Sequence, residues 1–201
     1  MKRSFLPFLL LIAGSWNLLA QAPTAQTSGW RLDRGHSKVQ FAVQHMLISE
    51  VIGWFKEFDI NVSSTKEDLS DAQIDATIKV ASINTENERR DGHLKTDDFF
   101  NAEKFPEIKF KSTKFEKTGD KTFKIHGDLT IRDITKPVVF NAVLNGSVKT
   151  QRGTVMGWKA TLDVNRFDYS LKWNRAIETG GLVAGETISI TLNLEFQKPV
   201  S

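Results

Sequence analysis

The feature that most constrains this chain is an alternation of apolar and polar residues with period two, repeated over most of its length. In 38–45, Val39, Phe41 and Val43 alternate with Lys38, Gln40 and Gln44; in 73–80, Ile74, Ala76, Ile78 and Val80 alternate with Gln73, Asp75, Thr77 and Lys79. Phe123, Ile125, Leu129 and Ile131 stand opposite Lys124, His126, Asp128 and Arg132. Near the end Ile188, Ile190, Leu192, Leu194 and Phe196 stand opposite Ser189, Thr191, Asn193 and Glu195. Successive side chains of a strand point to opposite faces, so each run has one apolar and one polar face. Mixed runs at 51–62, 107–116, 137–149 and 154–165 bring the count to about eight strands, with turns read at Thr118-Gly119-Asp120 and Asn145-Gly146. Two segments break the pattern. Residues 84–100 are polar and predict short helical segments near 86–102, and 167–185 reads as an irregular loop carrying Trp173 and Gly180-Gly181.

Long amphipathic antiparallel strands with no helices to cover them bury their apolar faces against each other, as a sandwich or as a sheet closed on itself. Strands of this length favour the barrel, and an eight-stranded barrel is either filled by side chains or just wide enough for one ligand. The inward set includes Phe41, Val43, Phe55, Ile78, Phe110, Phe123, Ile125, Leu129, Phe140, Trp158 and Leu162. These residues alone fit a dry packed core as well as a cavity wall. After the leader (1–22), twelve Phe and four Trp against a single Tyr make an interior that is bulky and poor in hydroxyls.

Of 27 basic residues, Lys2 and Arg3 fall in the first segment, leaving 25 against 24 acidic ones. A net charge of +1, interspersed rather than blocked, is no nucleic-acid signature. Met1-Lys2-Arg3-Ser4, the apolar stretch from Phe5 to Ala13 and the small residues after it have the layout of a secretory signal peptide over 1–22. Its cleavage falls between 20 and 25, and a Pro/Thr/Ser/Gln linker occupies 23–29. The apolar stretch is too short to span a bilayer, which needs about 20 residues. With no cysteine there is neither a disulfide framework nor an acylatable lipobox residue. The expectation is one exported periplasmic domain over 30–198.

The motifs, taken in order, resemble the YceI-like family, also described as polyisoprenoid-binding proteins. They begin with Trp30-x-Leu32-Asp33-x-x-His36-Ser37, Val39-x-Phe41-x-Val43-x-His45-Met46 and Gly53-x-Phe55. Ser82-Ile83-x-Thr85, Arg90-Asp91-x-His93-Leu94 and the distinctive Asp98-Phe99-Phe100-Asn101-x-x-x-Phe105-Pro106-x-Ile108-x-Phe110 follow. The run from Gly127 to Val138 and Asn165-Arg166-x-Asp168-Tyr169-x-Leu171-x-Trp173 complete the resemblance, from Trp30 to Phe196. It implies an extended, eight-stranded antiparallel lipocalin-like β-barrel, often dimeric, periplasmic, and holding a long isoprenoid or other amphiphile. It also implies the apolar set above as the ligand wall. Tyr169 stands where the family usually has Gly, which bears on the shape of the pocket mouth.

For the head of such a ligand the candidates are His45, which continues the inward register of Val43, and Arg90, His93 and Trp173. Arg89 and Arg90 suit a phosphate, which a guanidinium meets in bidentate fashion, and they suit equally a salt-bridged helix cap. The Arg166, Asp168, Lys172 and Arg175 cluster divides in the same way. His36, His45 and His93 with Asp33 and Asp91 lack the spacing of a zinc motif, so no metal is read.

The leading expectation is a binding protein, not an enzyme, with no catalytic residue, no cofactor and transient contact with membranes. About 40 carbons at ~0.8 kcal/mol per CH₂ would gain ~30 kcal/mol from water, beyond the affinities proteins reach. The ligand's real alternative is therefore the bilayer. A chain of that length needs near 1,000 Å³, the upper end of ordinary pockets. The competing expectation is an enzyme acting on a lipid or amide, with His45 or His93 as base and Asp33 or Asp91 as its orienting partner. It has no visible nucleophile, since no Gly-x-Ser-x-Gly elbow occurs.

Overall fold

The computed structural model describes residues 29–66, 69–176 and 182–200. Residues 1–22, expected to be a leader, the expected linker up to Ser28 and Gly180-Gly181 lie outside the described residues. The chain is all-β. Its strands are β1 (Arg31–Leu32), β2 (Lys38–His45), β3 (Ser49–Phe55), β4 (Phe58–Ser63), β5 (Gln73–Lys79), β6 (Ile83–Asn84), β7 (Glu107–Lys117), β8 (Thr122–Ile131), β9 (Ile134–Thr150), β10 (Gly153–Asn165) and β11 (Ala184–Pro199). One helix, α1 (Glu88–Leu94), opens the long β6–β7 connection. Each of the eight runs read from alternation falls on strand.

The eleven strands make eight staves. The sheet runs β4-β5-β7-β8-β9-β10-β11-β2-β3-β6, every pairing antiparallel. β3 and β4 are two halves of one stave kinked at Lys56-Glu57, the first half paired with β2 and the second with β5. β5 continues through the 3₁₀ turn Val80–Ser82 into β6, which pairs with the end of β3 at Trp54 and Phe55. Across the kink Lys79 N–H donates to the Glu57 carbonyl (2.9 Å) and Lys56 N–H to that of Ser82 (3.1 Å). The first and last strands of the order thus share one continuous piece of chain, and that joint curls the sheet into a lipocalin-like barrel. The lower part of the stave is flanked by the N-terminal segment, where Arg34 pairs with Asp59 at 3.1 Å.

One turn expectation is corrected. Asn145-Gly146 lies inside β9: Gly157 pairs with Gly146 and Trp158 with Leu144, so Asn145 is the extra residue of a β-bulge. β9 is paired with β8 up to Val143 and with β10 from Asn141 to Thr150, and the β10 ladder outweighs the local turn preference of Asn-Gly. Thr118-Gly119-Asp120 does make the β7–β8 turn, with Thr118 N–H donating to the Thr122 carbonyl.

Two glycines are required by close approach. A Cβ on Gly127 would stand 2.5 Å from the Lys111 carbonyl oxygen and from the Phe110 ring, and one on Gly53 would stand 2.4 Å from the ring of Phe41, its cross-strand partner. Both phenylalanines lean across the inner face into space that only glycine leaves open.

α1 is capped by Asn87, whose Oδ1 accepts from Arg90 N–H at 3.0 Å. The chain then passes through a series of tight turns, including Phe99 N–H to Thr96 carbonyl and Phe105 N–H to Asn101 carbonyl. This segment lies across the end of the barrel where Ala184 of β11 pairs with His45 of β2. The opposite region is packed by Phe115, Phe123 and Trp158, with ring centroids 5.1–6.1 Å apart.

Candidate functional site

A cavity of about 610 Å³ occupies the barrel. It is walled by the inward face of the alternating strands. Of the residues expected to form that wall, Phe41, Val43, Phe55, Ile78, Phe110, Ile125, Leu129, Phe140 and Trp158 line the cavity. Phe123 and Leu162 do not. Phe123 is buried but stacked between Phe115 and Trp158, and Leu162 is half-buried and packs against the core from the same face. Alternation gives the face of a residue but not its depth, which decides whether it meets the cavity or another side chain. The interior is therefore not filled, and its volume falls short of the ~1,000 Å³ expected for about 40 carbons.

At the α1 end the lining changes character. His45, Arg90, His93 and Trp173 all reach the wall there, joined by Arg89 and Arg166. His93 stands edge-on to both Phe99 (5.1 Å) and Trp173 (5.4 Å), and these two rings lie 5.4 Å apart. Its Nε2 is 2.7 Å from Asp98 Oδ2. Residues from α1, the following turns and the late loop thus make one aromatic rim.

Arg90 is committed to the frame. Its Nε donates to Thr85 Oγ1 and its Nη2 to the Thr85 carbonyl, both at 2.8 Å. Thr85 in turn gives its N–H (2.9 Å) and its hydroxyl (2.5 Å) to Asp91 Oδ1. Arg90 and Asp91 are thus both bound to Thr85, with no ion pair between them, and the Arg89 side chain beside them is exposed and has no partner among the described residues. The late cluster resolves in the same direction. Arg166 is only 3% exposed, and its guanidinium donates to the carbonyls of Gly185 (2.8 Å), Leu171, Trp173 (2.8 Å) and Ala184 (3.0 Å). Burial lowers its pKa, opposed by the charge of Glu186. Asp168 pairs outward with Lys136 at 3.1 Å.

Arg132, read as an outward residue of its strand, ties the same rim. It donates to the carbonyls of Asp97, Phe99 and Ser170 and to Asp97 Oδ1. Sequence reasoning missed this role, because its partners are main-chain oxygens of loops 30 to 40 residues away. Tyr169 is 2% exposed and lines the cavity, with its pKa pushed up to about 12 by burial. Its ring takes up space at the mouth.

The histidines and acids do not converge on the cavity. His36, with Asp33 at 3.1 Å and Glu195 at 3.8 Å, forms an exposed cluster outside the cavity. Asp91 serves Thr85, and His93 pairs with Asp98. The base–orienter pairings of the enzyme expectation are accordingly not formed: Asp33 and Asp91 both have other partners. His126 is half-buried on the outer side and 3.2 Å from Glu116.

A model of the YceI-like domain matches residues 30–196. The chain belongs to the YceI-like family. It is 36% identical over 171 residues to the UPF0312 protein SA2479 of Staphylococcus aureus strain N315, covering 84% of this chain and 97% of that one. Among solved structures, Burkholderia cenocepacia BcnA superposes with a TM-score of 0.70 at 21% identity, covering 82% of this chain and 98% of that one. A Saccharophagus degradans domain described as polyisoprenoid-binding superposes with a TM-score of 0.63 at 16% identity, covering 85% of this chain and 99% of that one. At these identities the two structures establish the shared fold, and the family match covers nearly every residue of the barrel.

Proposed function

We propose that this chain is a non-catalytic carrier that holds a long-chain isoprenoid or similar amphiphile, such as a prenyl quinone or polyprenyl carrier, in the barrel cavity. The observation that carries this reading is a cavity of about 610 Å³ with a mostly apolar wall, at whose α1 end His45, Arg89, Arg90, His93 and Arg166 are gathered. That volume lies in the middle of the range for small-molecule sites. At the ~40 carbons per ~1,000 Å³ used above, it takes about 25 carbons. The description of the Saccharophagus domain as polyisoprenoid-binding supports the same ligand class.

The reading places the protein in the periplasm, on the strength of the leader-like 1–22. Exchange would be with a bilayer rather than with water, because ~25 CH₂ groups at ~0.8 kcal/mol each would put transfer from water at the limit of observed affinities. The β2–β3 turn suits that contact: Met46, Leu47 and Ile48 are exposed, Ile48 by 84%, and the turn follows directly on His45 at the mouth.

The test is mass spectrometry of the organic extract of protein purified from a periplasmic fraction, beside native mass spectrometry of the same sample. A stoichiometric prenyl species is expected. Protein that comes out empty, and stays empty when offered prenyl lipids, would overturn the carrier reading.

A further inference from the structure

Every charged side chain on the cavity wall has the same sign. Among the described residues Arg89, Arg90 and Arg166 reach it, with His45 and His93, and no Asp or Glu does; Lys109 borders it only through its strand, its side chain alternating outward from Ile108 and Phe110. A wall built only to hold hydrocarbon gains nothing from cations, since a charge facing an apolar chain loses hydration without compensation. Most of these groups are accounted for by the frame. Arg90 is bound to Thr85, His93 to Asp98, and Arg166 to four carbonyls.

Two are left over. The side chains of Arg89 and His45 have no hydrogen-bond or ion-pair partner among the described residues. They come from different elements, the first turn of α1 and the last residue of β2. His45 is half-buried, and Arg89 is exposed beside the engaged Arg90. A solvated surface arginine without a partner is ordinary. An unpartnered arginine and an unpartnered histidine at the polar end of one apolar cavity, with no carboxylate on the wall, form a site of positive sign facing a ligand-sized space.

We propose that the amphiphile held in the cavity carries an anionic head, a phosphate or a carboxylate, and that Arg89 and His45 are the side chains that meet it. This rests on the carrier reading and sharpens it. The guanidinium offers a planar pair of donors that fits either oxyanion, and the imidazole supplies a third donor. Arg90 next to it is not the recognition residue, because its Nε and Nη2 are occupied by Thr85.

The test uses the delipidated full chain and three probes with one chain length: palmitate, monohexadecyl phosphate and hexadecanol, each below its micellar concentration. Binding is followed by the fluorescence of Trp158 and Trp173, which line the cavity. Both anions are expected to bind about tenfold or more tighter than the alcohol, the difference one charge-assisted contact makes. Arg89→Gln should remove most of that preference and leave the alcohol unchanged, His45→Gln should remove less, and Lys124→Gln on the outer face should change nothing. Tighter binding of the phosphate than of palmitate would assign the head to a phospholipid or prenyl phosphate, and the reverse order to a fatty acid. Equal binding of all three probes, unaffected by Arg89→Gln, overturns the anionic head and leaves the carrier reading standing. Failure of all three to bind overturns the carrier reading itself.

Discussion

The two ends of this barrel are held together by different physics. Away from α1 the interior is closed by rings, with Phe115, Phe123 and Trp158 in mutual contact at 5.1–6.1 Å. At the α1 end the structure is closed by guanidinium groups. Arg166 gathers four carbonyls from the late loop and the start of β11, and Arg132 gathers the 97–99 turns and Ser170. Aromatic packing excludes water and leaves nothing for a polar ligand atom to bind. Cations that saturate loop carbonyls build a polar rim whose carboxylates, Asp97 and Asp98, stay off the cavity wall, and the side chains of Arg89 and His45, without partners among the described residues, are left at the cavity. A barrel closed by rings at both ends would have no place for a head group.

The contrast can be broken most forcefully through the wall between the two ends. Phe140→Asp puts an unpaired carboxylate on a wall where Phe140 is buried against Phe110 at 5.2 Å, a cost of several kcal/mol. It should abolish retention of a bound lipid, whereas Lys124→Asp on the exposed face of the same sheet should leave stability within about 0.5 kcal/mol and retention intact. Lipid retention by mass spectrometry reads both, and equal retention would show that the inward assignment is wrong. Next, Trp158→Ala should cost about 3–5 kcal/mol by opening the aromatic end and lower the melting temperature by roughly 10 °C. A melt that hardly moves would mean that the ring cluster is not what closes that end.

Arg166→Met should cost about 3 kcal/mol, because it strips donors from buried carbonyls. Its signature is local: hydrogen exchange should accelerate at 171–173 and 184–185 while the amides around Phe123 and Trp158 keep their protection. Exchange that speeds up uniformly would show that the two ends are one cooperative unit.

The smallest effect concerns the exposed pair outside the cavity. The hydrogen bond and charge of Asp33, with a contribution from Glu195, raise His36 above its ordinary 6.5, and the same bond lowers Asp33. The imidazolium is the form the folded state favours. The stabilisation it brings is fully present below the ordinary histidine value and is lost as pH rises through the raised one. For Asp33 the contribution is present above the ordinary carboxylate range and is lost as pH falls through its lowered value. Titration of the His36 ring by NMR should give a midpoint above 6.5 that falls in Asp33→Asn, with no change in ligand retention. A midpoint unaffected by that substitution would show that the pair does not form in solution.

The sequence by itself determined the alternating strand runs, their inward faces and the family. Period two is imposed by the geometry of an extended chain, so Val39, Ile125 and Phe140 declare their side of the sheet without reference to any other strand. The helical interruption was legible as a polar break in the alternation over 84–100, while the cap that starts it, Asn87 Oδ1 on Arg90 N–H, is seen in the structure. The tertiary structure alone decided how the eleven strands close into eight staves, since the kink at Lys56-Glu57 is defined by bonds to Lys79 and Ser82 more than 20 residues away. It also decided that Asn145 is a bulge, that Phe123 packs on rings while Phe110 faces the cavity, and that Arg90 is bound to Thr85 while the Arg89 side chain has no partner among the described residues. Hydrophobic burial depends on periodicity, which is written locally in the chain. The commitment of a guanidinium depends on which main-chain carbonyls arrive beside it, and a peptide carbonyl has the same chemistry whatever residue carries it. For that reason the wall of the cavity could be read from the sequence, and the chemistry of its mouth could not.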